Sequence, residues 1–316
     1  MTVNVVEIRE FGGPEVLAAR AVPDPVVADG QVLVRVEFAE VLFIDTQLRA
    51  GWGRDFFPMR PPWVPGTGVA GRIRAVGAGV DAGRIGTRVV ARTGNAGAYA
   101  ELVAVDAPEA IDLPEDLDGA VATAALHDGV LALDRLERAP VGAGSRVLVT
   151  AAAGSLGHWL VPLAKAAGAH VTGAAGGPDK RDAVTALGAD LAVDYRRADW
   201  AELAGAPFDV VFDGAGGAIG RTAFGLTRDR GTFHAYGAAA GEFGSTAAER
   251  GITVVGVEAE IAADAVHRHI RTGLDLLTRG QVRPVIGQRV PLDRAADAHA
   301  AMAERTVIGK SVLTVP

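Results

Sequence analysis

The stretch TAAAGSLGHWL at residues 150–160 places small residues and two glycines between an apolar run and an apolar helical pattern. Within it, Ala152-x-Gly154-x-x-Gly157 is a variant of the dinucleotide fingerprint, in the strand–turn–helix setting the motif requires. Gly154 would let the backbone approach a pyrophosphate, and Gly157 would let the helix pack closely on the sheet. The helix N-terminus, with Ala153, Ser155 and Leu156 leading into it, would supply N–H groups and a partial positive charge. The plainer alternative is a glycine turn that holds no ligand. The end of the next predicted strand bears on which dinucleotide would bind, because an NAD site usually places an acid there for the ribose 2′-hydroxyl. Here the chain reads GAAGGPDKRD, with Gly176 at the corner, no acid at the strand tip, and Lys180 and Arg181 just beyond. Either these cations meet a 2′-phosphate or they form a solvated helix face. Asp179 belongs to the first turn of the following helix, where a carboxylate is favoured.

Other reactive side chains are scattered. His127 and Asp128 are polar at a predicted domain junction; His127 would relay a proton near neutral pH, or the pair would cap the next helix. Trp52, Phe56, Phe57 and Trp63 gather in one loop and either stack on a flat substrate or pack the domain. Asp45 reads as structural, with no second catalytic carboxylate beside it. The chain has no cysteine, which excludes disulfides and thiolate zinc sites. Among seven histidines the one close pair is His267-x-His269, whose members fall on different sides of a predicted helix and read as a solvated face. Tyr99, Tyr195 and Tyr236 are followed four residues later by Val103, Asp199 and Ala240, so the Tyr-x-x-x-Lys pair of a short-chain reductase is missing.

These groups need a scaffold, and 316 residues are enough for two domains. The formal charge of −7, with no basic block, argues against nucleic-acid binding. The uncharged run from Val147 to Ala164 reads as strand, turn and helix rather than a membrane span. The N-terminus lacks a signal-peptide core, and the expectation is a cytoplasmic protein. Residues 3–8, 31–41, 69–76 and 87–92 read as strands separated by turn signals. From about Leu126 helices alternate with strands predicted at 145–150, 169–175, 189–195, 208–216, 231–238 and 251–258. Pro162 should kink the helix predicted over 155–168. A helix with Val266, Ile270, Leu274 and Leu277 on one face follows, and the tail returns to β character. The pattern predicts an α/β protein: a doubly wound parallel sheet over 123–260, and a β domain split between 1–122 and 261–316.

The segments FGGPEVL (11–17), FIDTQLRAG (43–51), VPGTGVAGRIRAVGAGV (64–80), GAYAELVAV (97–105), AAAGSLG (151–157), LGADLAVDYR (187–196) and GKSVL (309–313) follow one another along essentially the whole chain. Together they resemble the quinone oxidoreductase (zeta-crystallin-like) branch of the zinc-independent medium-chain dehydrogenase/reductase superfamily. The resemblance implies a GroES-like β-barrel domain joined to a Rossmann domain, an active site in the cleft between them, NADPH, a homodimer, and hydride transfer to quinones or α,β-unsaturated carbonyls. It places Lys180 and Tyr195 beside the adenosine 2′-phosphate. Gly214, Ala215, Tyr236, Gly237 and Ala238, at the ends of later strands, complete the expected cofactor set. Zinc-dependent relatives carry a Gly-His-Glu motif where this chain has Gly66-Thr67-Gly68, so no metal is expected. Three positions depart from the branch: Leu42 replaces an asparagine, Gln47 a tyrosine and Val130 a threonine. Gln47 is the candidate donor to a developing oxyanion, with a structural role as the alternative. The leading reading is an NADPH-dependent quinone, enone or enoyl reductase. The alternative is a non-catalytic NADPH-binding structural or regulatory protein of the same fold.

Overall fold

The computed structural model describes residues 2–54, 57, 59–242 and 250–316; Phe56 of the aromatic loop lies outside them. In chain order the regular elements are β1 (Thr2–Ile8), β2 (Leu17–Pro23), β3 (Gln31–Val41), α1 (Phe43–Arg49), β4 (Gly68–Val76), β5 (Arg88–Arg92), β6 (Leu102–Asp106) and β7 (Ala110–Asp112). Next come α2 (Gly119–Thr123), a π-helical turn (Ala125–Gly129), α3 (Val130–Glu137), β8 (Arg146–Thr150), α4 (Gly157–Ala166), β9 (His170–Ala175) and α5 (Pro178–Ala186). The remainder is β10 (Leu191–Asp194), α6 (Trp200–Ala204), β11 (Phe208–Asp213), α7 (Gly217–Leu226), β12 (Thr227–Ala235), β13 (Thr253–Val255), α8 (Ala263–Thr278), β14 (Ile286–Pro291), α9 (Ala295–Ala303) and β15 (Lys310–Thr314).

Two compact units result. The first runs through His127 and includes Ile270–Thr278 and Ile286–Pro316; the second comprises Asp128–His269 and Arg279–Val285. In the first unit, β3 is the organising strand. Its eleven residues pair along one edge with β4, while β6 (at Gln31–Arg35) and β15 (at Phe38–Val41) share the other. With its edges covered, β3 buries Val32, Leu33, Val34, Val36, Ala39 and Val41 in an aliphatic core that also takes Val5, Ile73, Val89 and Leu313. Fully burying a Val or Leu side chain stabilises by about 1.5–3 kcal/mol, so this run drives closure. One charged residue, Glu40, is drawn in with them at 0% exposure.

The second unit is a six-stranded parallel sheet in the order β10-β9-β8-β11-β12-β13. Parallel strands lie buried on both faces and therefore read as unbroken apolar runs. Leu148, Val211, Phe208, Phe233, Ala223 and Phe224 form part of its core.

Several sequence expectations shift. The strand predicted over 251–258 shortens to Thr253–Val255, at the sheet edge with β12 as its pairing neighbour. Helix α4 continues through Pro162, whose missing N–H leaves the His158 carbonyl without its helical donor. On α8 the predicted stripe of Val266, Ile270, Leu274 and Leu277 is buried, but so is His269, at 2% exposure. His269 is therefore not part of a solvated face; its Nε2 stands 3.6 Å from the Glu137 carboxylate.

Candidate dinucleotide site and a buried charge cluster

Counted from β8, the parallel sheet runs 3-2-1-4-5-6, and the order reverses between β8 and β11. Open α/β sheets bind ligands beyond the strand C-termini at such a reversal. The predicted glycine turn leaves β8 there. Gly214 and Ala215 leave β11 there, and Tyr236, Gly237 and Ala238 follow β12. Gly157 opens α4 with no room for a side chain, since a methyl carbon on it would sit 2.0 Å from the Ala152 carbonyl oxygen. Ala153 is buried beneath the turn, Gly154 donates its N–H to the Ala151 carbonyl, and Leu156 is the residue before the helix. Among the described residues, the N–H groups of Ser155, Leu156 and Gly157 have no backbone acceptor. They are the orphan donors of a helix start and fit a pyrophosphate. Ser155 offers its backbone rather than its hydroxyl, because the Oγ–H donates to Asp128 Oδ2 at 2.6 Å. Asp128 thus bonds to the turn, and among the described residues no side chain caps α3.

Thr150 and Asp213, which the sequence reading passed over, knot the two strands at the reversal. The Thr150 hydroxyl donates to Asp213 Oδ1 at 2.6 Å and accepts N–H bonds from Gly214 and Ala215 at 3.1 Å. Asp213 also accepts from Ala215 and Gly216. Burial raises its carboxyl above the ordinary range against these bonds, and its Oδ2 has no hydrogen-bond partner among the described residues. Tyr236 stands over Gly214, where a methyl carbon would come within 2.9 Å of the phenol oxygen; Gly237 backs directly onto the Gly214 carbonyl.

At the end of β9, the ring of Tyr195 lies against Gly176, with 3.1 Å from a built methyl carbon to Cε2. Lys180 sits half-buried in the first turn of α5. The sequence reading missed Arg196, whose guanidinium lies over Gly177. Asp194 accepts from the Gly177 N–H at 3.0 Å and from the Arg196 side chain, bonds that hold its carboxyl well below the usual range. The Asp194 carboxylate at this corner is therefore engaged by an arginine, and Arg196 with Lys180 offers cations suited to a phosphate.

A second cluster occupies the first unit. Lys310 Nζ donates to Glu40 Oε2 at 2.6 Å, His127 Nδ1 is hydrogen-bonded to Glu40 Oε1, and His127 Nε2 lies 3.4 Å from Thr67 Oγ1. Burial alone would raise the Glu40 carboxyl; the charges and hydrogen bonds of His127 and Lys310 reverse this and hold it at about 2. Gly68 makes the space, because a methyl carbon there would stand 2.2 Å from Glu40 Oε1. Asp45 is buried nearby. Desolvation lifts it to about 6 against the Leu42 N–H bond of 2.8 Å, and the charge of Glu40 adds to the rise. Tyr99 O–H donates to Asp45 Oδ2 at 3.4 Å, and His299 Nε2 lies 2.9 Å from the same phenol oxygen. Burial and the Arg49 charge hold His299 at about 3, so it is neutral.

Gln47 is half-buried on α1, Leu42 precedes that helix, and Val130 is buried at 5% exposure. The aromatic loop divides into pairs. Trp52 faces Phe57 at 6.4 Å between ring centroids, while Trp63 packs on Phe11 at 5.7 Å. Among the described residues no group of three or more His, Asp or Glu side chains is placed to share a metal ion.

Comparison with known proteins shows the family. Residues 28–115 match the alcohol dehydrogenase GroES-like domain, and 187–313 match the zinc-binding dehydrogenase family. A quinone oxidoreductase of Pseudomonas aeruginosa is 30% identical over 98% of each chain. A 2-haloacrylate reductase of Burkholderia sp is 31% identical over 97% of each. The structure of Escherichia coli quinone oxidoreductase complexed with NADPH superposes with a TM-score of 0.90 at 26% identity, covering 98% of this chain and 99% of that one.

Proposed function

The chain belongs to the quinone oxidoreductase branch of the medium-chain dehydrogenase/reductase superfamily, and we propose that it is an NADPH-dependent reductase of quinones or α,β-unsaturated carbonyls that works without a metal. The observation that carries this reading is the set of three N–H groups at Ser155, Leu156 and Gly157, which among the described residues have no backbone acceptor, at the reversal point of a 3-2-1-4-5-6 sheet. NADPH is preferred over NADH because the Arg196 guanidinium lies over Gly177, the ring of Tyr195 is a flat neighbour at Gly176, Lys180 stands in the first turn of the helix that follows, and Asp194 is engaged by Arg196. Gly214, Ala215, Tyr236, Gly237 and Ala238 would border the rest of the dinucleotide, with residues 123–260 as its domain. When bound, the reduced nicotinamide supplies a hydride to an electron-poor carbon.

The protein side of the reaction is orientation and stabilisation of charge. The α4 N-terminus holds the pyrophosphate, and the Gln47 amide donates to the oxygen on which negative charge develops. Leu42 and Val130 each put an apolar side chain at a position that is polar in the family the chain resembles, which suits an activated alkene or a quinone ring over a polar ketone. A homodimer formed through the edge strand β13, in the cytoplasm, belongs to the same reading; a monomer in light scattering would remove the dimer.

The test is NADPH oxidation followed optically against quinones, enones, enoyl thioesters and 2-haloacrylates, with NADH in parallel. Turnover of at least one class, with NADPH preferred, is the expected result. Tight NADPH binding without oxidation by any acceptor would favour the non-catalytic alternative, which the apolar Leu42 and Val130 keep in view.

A further inference from the structure

Glu40, Thr67, His127 and Lys310 come from four separate segments of the chain and meet in one line: hydroxyl, imidazole, carboxylate, ammonium. Glu40 and Lys310 are sealed at 0% and 1% side-chain exposure, whereas His127 keeps 25%. A sealed Glu–Lys pair by itself is no gain over apolar packing. This one is extended to an imidazole that reaches the surface, and a glycine, Gly68, is placed where any side chain would expel the carboxylate. Glu40 stays ionised beside the ring. With the ring neutral, Nδ1–H donates to Glu40 and the Nε2 lone pair accepts from the Thr67 hydroxyl. With the ring charged, Nε2–H donates to the Thr67 oxygen instead. A hydroxyl serves either role, so both states are satisfied without rearrangement. The residue after His127 is Asp128, which is bonded to Ser155 of the glycine turn; a single peptide bond joins the relay histidine to the partner of the dinucleotide turn.

We propose that Thr67, His127 and Glu40 form the proton relay that completes the reduction, with His127 as the acid, Thr67 as the point of delivery, and Glu40 and Lys310 as positioning residues. This rests on the reductase reading. Once an α,β-unsaturated carbonyl has taken up hydride at its β-carbon, the C=C pair has shifted to the bond between the α-carbon and the carbonyl carbon, and the C=O π pair has moved onto oxygen, giving an enolate. The Thr67 O–H bond breaks as its proton passes to that oxygen, giving an enol that tautomerises in solvent to the saturated carbonyl, and the Nε2–H proton of the imidazolium restores the hydroxyl. The ring ends neutral, still donating Nδ1–H to Glu40, and solvent reprotonates Nε2. A hydroquinone anion is neutralised by the same transfer. The charged and titratable groups around the ring are Glu40 on β3, Lys310 on β15, Asp45 on α1 and the adjacent Asp128.

The test uses the full chain with His127→Gln, Thr67→Val, Thr67→Ser and Glu40→Gln. NADPH affinity, by fluorescence titration, should stay within threefold of wild type in all four. With an enone acceptor, His127→Gln should lower kcat about 100-fold, the lower range of general acid catalysis, with KM little changed. It should also erase the alkaline limb of the kcat–pH profile and the solvent deuterium isotope effect. Thr67→Val should lose about tenfold and Thr67→Ser recover it, and Glu40→Gln should move the alkaline limb. Independently of turnover, nitrogen-15 histidine spectra should show one Nδ1 proton in a strong hydrogen bond that Glu40→Gln abolishes. A His127→Gln enzyme that keeps kcat and pH profile within twofold overturns the relay alone. A wild type that binds NADPH yet reduces no acceptor overturns the reductase reading and the relay with it. Absence of the hydrogen-bonded Nδ1 proton overturns the relay whatever the turnover.

Discussion

Replacing Lys310 with methionine tests the energetics of the buried cluster. Glu40 is fully sealed, and its carboxyl moves from an ordinary 4.5 to about 2 because His127 and Lys310 outweigh its desolvation. That gap corresponds to about 3 kcal/mol of stability. Since the folded value lies below the unfolded one, the contribution is full above pH 4.5 and is lost as pH falls through about 2. Lys310→Met removes the cation but keeps the stem volume, leaving a sealed carboxylate with one partner, a change that costs about 3–5 kcal/mol. Urea unfolding at pH 8 should show a loss of that size. At pH 5 the loss should shrink, because without the ammonium the Glu40 carboxyl binds its proton more readily. Adding Glu40→Gln should restore part of the stability, since the uncompensated charge is then gone. A single variant within about 1 kcal/mol of wild type at pH 8, or a double variant no more stable than the single, would refute the reasoning.

Three further outcomes are expected. Gly157→Val should abolish measurable NADPH binding in a fluorescence titration, because a Cβ would meet the Ala152 carbonyl oxygen at 2.0 Å and force the turn open. Lys180→Ala should weaken NADPH about tenfold or more and leave NADH nearly unchanged, in line with about 1.5–3 kcal/mol for a charge-assisted bond; equal weakening of both would contradict the 2′-phosphate role. His234 is sealed against Phe212, neither ring nitrogen has a hydrogen-bond partner among the described residues, and burial together with the charges of Arg135 and Arg138 holds it at about 3. Its neutral form is favoured by the fold, so stability is full above pH 6.5 and is lost as pH falls toward 3. His234→Phe should flatten the fall in Tm between pH 7 and 5, and an unchanged slope would count against it.

The architecture was legible because both sheets write their burial into local periodicity. The alternating first third folded as β1 and β3 to β5, and the apolar runs after Leu126 became a parallel sheet whose first turn carries the glycines. The side chains of the charge cluster were less legible. Glu40 shares its face of β3 with Val32, Val34, Val36 and Phe38, so alternation puts a carboxylate among core residues without naming its counter-charge; Lys310 reaches it only because β15 covers the edge of β3, a pairing across 270 residues. Thr150 and Asp213 sit at the ends of apolar strands and gain meaning only when β8 and β11 become neighbours. Arg196 follows Tyr195 directly, so proximity to the corner was a usable signal. His269 looked exposed because two helix positions were judged without the elements packed on them.

The edge of β3 shared by β6 and β15 has a consequence for how the polypeptide matures on the ribosome. Glu40 emerges 270 residues ahead of Lys310, and every strand of the parallel sheet is made in that interval. The parallel sheet can therefore assemble while the first unit still lacks β14, β15 and the ammonium that neutralises its interior carboxylate. Until Lys310 is made, half of one β3 edge stays open and Glu40 favours solvent. The first unit to begin synthesis is the last to close.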